Sequence, residues 1–347
     1  MVRETRTAAS NIRIMTEFVK CRVFYLLVLL SVFYNCDGQS AKPVPIIFDS
    51  DMGPDYDDVG AITLLHAYAD SGKAKILATV ASTNYEGVAG VLNIFNTYFG
   101  RPGIPIGVPK GKALSLKDKQ HWTDSILDHY PHTILKNEWA PDAVQVYRKV
   151  LAKQADNSVT IVTVGFLTNL ANLLRSEPDQ FSALNGKELV QLKVKQLVCM
   201  AGKFPEGSEF NVNQDAAASQ YTYSNWPRPI IFSGFEIGNK IHTGLPLIRN
   251  AAIKNSPVKD VFRISIPLDK QDSAGRMSWD ETAVLVAIKG YKPWYTVKQG
   301  KIMVEDNGYN RWTDGAFNQY RLVEAQPPAV VEELINRIIM HQPMKKR

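Results

Sequence analysis

Cysteine is nearly absent from this chain of 347 residues: Cys21 and Cys36 flank an apolar run near the N-terminus, and only Cys199 lies beyond it. An internal disulfide framework is therefore excluded, and stability must come from burial. No Asn-x-Ser/Thr acceptor follows the run, which excludes N-glycosylation. A basic stripe interleaved with aromatics is also missing. The net charge of +6 rests partly on Arg3, Arg6, Arg13, Lys20, Arg22 and the closing "MKKR", so nucleic acid is not an expected partner. Internal repeats, low-complexity tracts and linker-like stretches are lacking too. The apolar run itself, "VFYLLVLLSVFY" (Val23 to Tyr34), covers 12 residues and is too short to span a bilayer comfortably. Lys20 and Arg22 precede it, and Gly38, Ser40 and Ala41 offer small residues for cleavage. Residues 1–41 therefore read as a signal peptide, cleaved before about residue 42 to leave a secreted domain without stable membrane association. The alternative is an uncleaved membrane anchor.

Hydrophobic residues make up 45% of the chain and charged ones 21%, the balance of a globular protein with a full core. From Pro43 onward, strand-like and helix-like segments alternate. "VPIIF", "AKILATVAS", "IPIGV", "SVTIVTVG", "KQLVCMAG" and "RPIIFSG" read as buried strands. "DDVGAITLLHAYADSG", "YEGVAGVLNIFNTYFG", "PDAVQVYRKVLAKQ", "LTNLANLLRS" and "DAAASQYTYS" read as the helices between them, and Lys110 to Asn137 as a polar connection. The expected fold is a single α/β domain over residues 43–342, with a mainly parallel open sheet and helices on both faces in the Rossmann-like manner. Ligands of such sheets sit beyond the carboxyl ends of the strands.

The first of those ends is crowded. "FDSDMGPDYDD" (Phe48 to Asp58) places five aspartates in eleven positions, with no Lys or Arg among them. A helix N-terminus at Asp57 and Asp58 offsets about 1 kcal/mol per well-placed charge, too little for five. A hard divalent cation would balance the remainder, and Ca²⁺ tolerates irregular carboxylate sets better than Mg²⁺. Later strand ends add Asn84 in "STNYEG", Thr168 in "VGFLTNLA", Glu209, Asn211 and Asp215 in "EFNVNQDAAAS", and Ser278 or Asp280 as an N-cap in "RMSWDETAV". Carboxylates and amides at successive strand ends suit a metal together with a polyhydroxylated ligand.

These motifs, in this order, resemble those of the nucleoside hydrolases, the inosine/uridine-preferring N-ribohydrolases. The resemblance spans nearly the whole domain: "DSDMGPDYDDVGAI", "TNYEGVAGVLN", "VGFLTNLA", "EFNVNQDAAAS" and "WDETAV". It implies hydrolysis of a ribonucleoside to free base and ribose. The implied Ca²⁺ ligands are Asp51, Asp58, the main-chain carbonyl of Thr168, and Asp280. Asp51 would also take the proton from the attacking water. Asp57, Asn84, Glu209 and Asn211 would hold the ribose hydroxyls, and Asp49 would support the site. Trp279 stands where many members have His, as in the purine-preferring subgroup, and Trp122 is the candidate for a second ring sandwiching the base. The resemblance leaves a homodimer or homotetramer open.

The chain departs from the family pattern in two places. "PDY" stands between Gly53 and Asp57 where the usual signature has one residue, which leaves the metal assignment open among Asp55, Asp57 and Asp58. The loop "GKFPEGSEF" is shorter than usual and lacks an Asn for the 5′-hydroxyl side. Two other classes compete: a non-catalytic secreted nucleoside- or ribose-binding protein, and a haloacid dehalogenase-type phosphatase. The phosphatase would use strand-Asp-x-Asp as nucleophile and acid/base, with a downstream Lys.

Overall fold

Ile46, Ile47 and Phe48 are all fully buried, yet they serve two separate cores: Ile46 and Phe48 face one, Ile47 the other. Successive residues of a strand point to opposite faces, so this apolar run is a strand covered on both sides. The computed structural model describes residues 42–343. The signal-peptide reading of residues 1–41 lies outside them. The described residues from Pro43 onward form one compact unit.

Strand β1 (Val44–Ser50) lies between β2 (Ala74–Ala81) and β4 (Val159–Thr163), parallel to both. The sheet continues through β3 (Ile106–Gly107) on one side and through β5 (Val194–Met200) and β7 (Ile230–Ser233) on the other. Besides these, the chain forms β6 (Glu206–Ser208), a small ribbon of β8 (His242–Thr243) with β9 (Arg276–Met277), and the C-terminal strands β10 (Tyr295–Val304), β11 (Tyr309–Asp314) and β12 (Gln319–Glu324). The ten-stranded order is β3-β2-β1-β4-β5-β7-β12-β10-β11-β6. It is parallel as far as β12 and antiparallel from there.

Helices Asp57–Asp70, Val88–Tyr98, Pro257–Ser265, Trp279–Lys289 and Pro328–Ile339 cover one face. Ala143–Leu151, Thr168–Arg175, Gly186–Lys193 and Ala216–Asn225 cover the other. The expected α/β architecture is therefore the observed one.

Two features differ from the sequence reading. The antiparallel extension carries no continuous apolar run: β10 mixes buried, half-buried and exposed positions because water reaches part of it. The polar connection Lys110–Asn137 holds a helix, Trp122–His129, anchored by the fully buried Trp122. Among the described residues, no helix is long and apolar enough to cross a membrane.

One contact sets up the site. The helix Asp57–Asp70 packs along Trp279–Lys289, and a Cβ at Gly60 would overlap the Glu281 carboxylate. Glycine at this position lets the two helix N-termini, with their acidic first turns, lie side by side.

Candidate active site

Residues two apart on a strand share a face, but β1 stops at Ser50, between Asp49 and Asp51. Asp49 stays beneath the sheet end, where it accepts hydrogen bonds from the Tyr147 hydroxyl at 2.7 Å and from Asn169 Nδ2 at 3.1 Å. Burial raises its pKa to about 7, against the pull of those two donors. Asp51 turns into a cavity instead. Ser50 folds the chain back: its hydroxyl accepts from the Met52 N–H at 3.0 Å and donates to Asp58 Oδ1 at 2.6 Å. The loop after β4 closes in at Gly165, where a Cβ would collide with the main chain of Asp51 and the Ser82 hydroxyl.

The cavity holds about 330 Å³ and is lined from the carboxyl ends of several strands. Asp51, Asp55, Asp57 and Asp58 follow β1, Val164 follows β4, and Met200, Glu209, Phe210 and Asn211 come from the end of β5 and the segment behind it. Phe235 follows β7, and the chain from Asp269 to Asp280 closes the remaining side. This is the place that the crevice rule assigns to ligands, and the volume suits a small molecule.

The carboxylates fall into two groups. Oxygen atoms of Asp57, Asp58 and Asp280 lie within 4.8 Å of one another, close enough to share a cation. Their hydrogen bonding separates them. Asp57 accepts four N–H donors: Arg276 Nε at 3.2 Å and Nη2 at 2.9 Å on Oδ1, and the main-chain N–H groups of Trp279 and Asp280, both at 3.2 Å, on Oδ2. Four donors fill the lone pairs of a carboxylate, so Asp57 caps the neighbouring helix. Asp58 Oδ2 is buried without any partner. The carboxylates of Asp51 and Asp280 accept no hydrogen bond from another described residue. Burial first, then repulsion among the neighbouring carboxylates, holds Asp51, Asp58 and Asp280 well above the ordinary carboxylate range. An orphaned buried oxygen among acidic groups that resist ionisation fits a divalent cation with oxygen ligands, and the free oxygens belong to Asp51, Asp58 and Asp280.

Arg276 pairs with the second group. Besides Asp57 it pairs with Asp55 and lies 3.7 Å from Asp272, whose other neighbour is the Tyr56 hydroxyl. Its guanidinium stacks between Tyr56 and Trp279, 4.9 and 5.1 Å from the ring centres. Burial works against its charge, but Asp55, Asp57 and Asp272 raise its pKa well above the ordinary value.

Of the other residues expected from sequence, Glu209, Asn211 and Trp279 line the cavity. Glu209 takes the N–H groups of Asn211, Val212 and Gly202 and so caps the short helix Phe210–Gln214. Asn211 Nδ2 donates to the carbonyls of Val164 at 3.1 Å and Met200 at 3.2 Å, tying two strand ends together. Trp279 donates from Nε1 to the Phe235 carbonyl at 2.8 Å and packs on that ring at 5.3 Å.

Three residues lie elsewhere. Asn84 is absent from the cavity lining, and its main chain is bonded to Leu114 and Asn137. Thr168 lines a different cavity, and its hydroxyl donates to Asp215. Trp122 is a correction. Its ring is fully buried in the core and does not reach the cavity, where Phe235 and Phe210 supply aromatic surface. Sequence reasoning missed Arg276, Phe235 and Phe210. Arg276 had one signal, a position four residues before Asp280. No Lys lines the cavity, and Arg276 is enclosed by three carboxylates, which disfavours the phosphatase reading.

Residues 46–334 match the model of the inosine-uridine preferring nucleoside hydrolase family. The chain belongs to this family. Among curated relatives of the chain, an uncharacterized protein of Schizosaccharomyces pombe is 27% identical over 251 residues, 68% of this chain and 75% of the relative. A pyrimidine-specific ribonucleoside hydrolase of Salmonella paratyphi B is 28% identical over 210 residues, 57% of this chain, and the match spans 62% of that relative's length. In fold, the chain resembles the inosine-uridine preferring nucleoside hydrolase of Bacillus anthracis, with a TM-score of 0.64, 16% identity, and 86% and 99% of the two chains covered. It also resembles the purine-preferring ribonucleoside hydrolase of Gardnerella vaginalis, with a TM-score of 0.65, 17% identity, and 85% and 98% covered.

Proposed function

We propose that the chain hydrolyses the N-glycosidic bond of ribonucleosides, purine ribosides in preference, releasing free base and ribose. One observation carries the reading: unpartnered carboxylates and an aromatic wall share a single cavity at the strand ends. Asp51, Asp58 and Asp280 would hold Ca²⁺. Bound there, the ion would polarise a water and lower its pKa. Asp51 accepts the proton from the attacking water. Bond cleavage builds oxocarbenium-like charge on the sugar, which the surrounding carboxylates stabilise. Glu209 and Asn211 hold sugar hydroxyls, and Asp49 supports the floor. Trp279, backed by Phe235, is the platform for the base.

The test is base release from a panel of purine and pyrimidine ribosides by the domain from residue 42, with Ca²⁺ and with chelator. Calcium-dependent release, faster for purines, is expected. Intact ribosides after long incubation with protein that binds Ca²⁺ calorimetrically would leave a binding protein, and phosphate release from a phosphomonoester would favour the phosphatase. Export belongs to the same reading: N-terminal sequencing of protein recovered from the medium should find a start near residue 42.

A further inference from the structure

The inserted "PDY" places Asp55 at the cavity, and its side chain is 42% exposed. Asp57, two residues on, is 2% exposed and already accepts four N–H donors. A sugar hydroxyl that donated to Asp57 would have to displace Arg276 or uncap the Trp279–Lys289 helix. Asp55 carries neither restriction. One of its oxygens meets Arg276, and its other oxygen has no hydrogen bond from another described residue.

We infer that Asp55 accepts a sugar hydroxyl in this cavity, in place of Asp57 and alongside Glu209, and that Arg276 is its positioning residue. Arg276 is held from three sides by Asp57, Asp272 and the Tyr56 and Trp279 rings. It therefore presents Asp55 on a fixed base, although Asp55 lies on a surface turn. This inference rests on the nucleoside reading above and specifies which carboxylate carries the sugar selectivity.

A charged acceptor on a hydroxyl is worth about 10- to 100-fold in affinity. The experiment is calorimetric binding of inosine and uridine, each with its 2′-deoxy and 3′-deoxy counterparts, to Ca²⁺-loaded protein, with turnover followed in parallel. The wild type should bind the ribosides at least about 10-fold more tightly than one of the deoxy forms. Asp55→Ala should close that gap to within about twofold while keeping its affinity for the deoxy ligand. Asp55→Glu should restore part of the gap. An Asp55→Ala protein that keeps the full gap would return the role to Asp57 and overturn the inference, as would a wild type that shows no gap or binds none of the ligands. A wild type that binds with the expected gap but never cleaves sinks the hydrolase reading and leaves this one standing.

Discussion

Two sets of acidic groups lie at this cavity or just behind its wall, and they meet the same electrostatic problem in different ways. Asp55, Asp57 and Asp272 share one cation of the chain, Arg276, wedged between Tyr56 and Trp279. Asp51, Asp58 and Asp280 have no cation among the described residues between them, and Asp58 keeps an orphaned oxygen. The first arrangement has a cation of its own. The second leaves buried carboxylates whose burial and mutual repulsion oppose ionisation, a state that an external cation relieves. The lesson is that clustering alone does not identify metal ligands. Asp57 meets the distance test for a shared cation, yet its lone pairs are already engaged.

The comparison breaks most sharply at Asp51. Asp51→Asn keeps the shape but removes the base and one anionic oxygen, and kcat for riboside cleavage should fall by about 10³-fold or more. Base release under saturating Ca²⁺ measures it, and a loss below tenfold would move the base elsewhere. On the other side, Arg276→Met should act on the fold. Breaking a buried ion pair by removing one partner costs about 3–5 kcal/mol, readable as a lower midpoint in urea. An unchanged midpoint would mean that Asp55, Asp57 and Asp272 do not need their shared cation.

What the sequence made legible follows the same division. The parallel sheet was readable because "VPIIF", "AKILATVAS" and "SVTIVTVG" are buried on both faces over most of their length and are therefore rich in apolar residues. The acidic turn after β1 was readable because charge is conspicuous behind such a run. Arg276 was not, because its pairing with Asp55 depends on where the inserted turn meets a ribbon far along the chain. Trp122 illustrates the converse failure. A tryptophan in a polar stretch looks available to a ligand, but here it anchors the helix on which that stretch folds. The antiparallel strands after Tyr295 escaped notice because they are half solvated and lack a run to detect.

The open group also makes stability depend on pH and cation. The folded pKa values of Asp51, Asp58 and Asp280 lie above the ordinary 3.8. Between that value and the raised ones the native state holds more protons than the unfolded state, so without a cation stability falls as pH rises. Asp49 adds to this slope from pH 3.8 to about 7. Melting temperatures in chelator should decline across that window. Ca²⁺ at about 100 times its dissociation constant should restore about 2.7 kcal/mol, with a larger gain at higher pH because ionised ligands bind it better. A cation effect that shrank as pH rose would place the ion away from these carboxylates.

Trp279 stands where the two groups meet. Its main-chain N–H donates to Asp57, its ring faces Arg276, and its other neighbour is Phe235. Stacking between aromatic rings is worth about 0.5–1.5 kcal/mol beyond burial, which converts to a change of at most about tenfold. Trp279→Ala should therefore lower kcat/KM for inosine by up to about tenfold and spare uridine, whose smaller ring covers less of the indole. Trp279→Phe should recover much of the loss. The main-chain donors to Asp57 survive both substitutions, so a stability change as large as that of Arg276→Met is not expected. Equal losses for inosine and uridine would make the indole a wall of the Arg276 site, and the base platform would then have to be sought at Phe235 and Phe210.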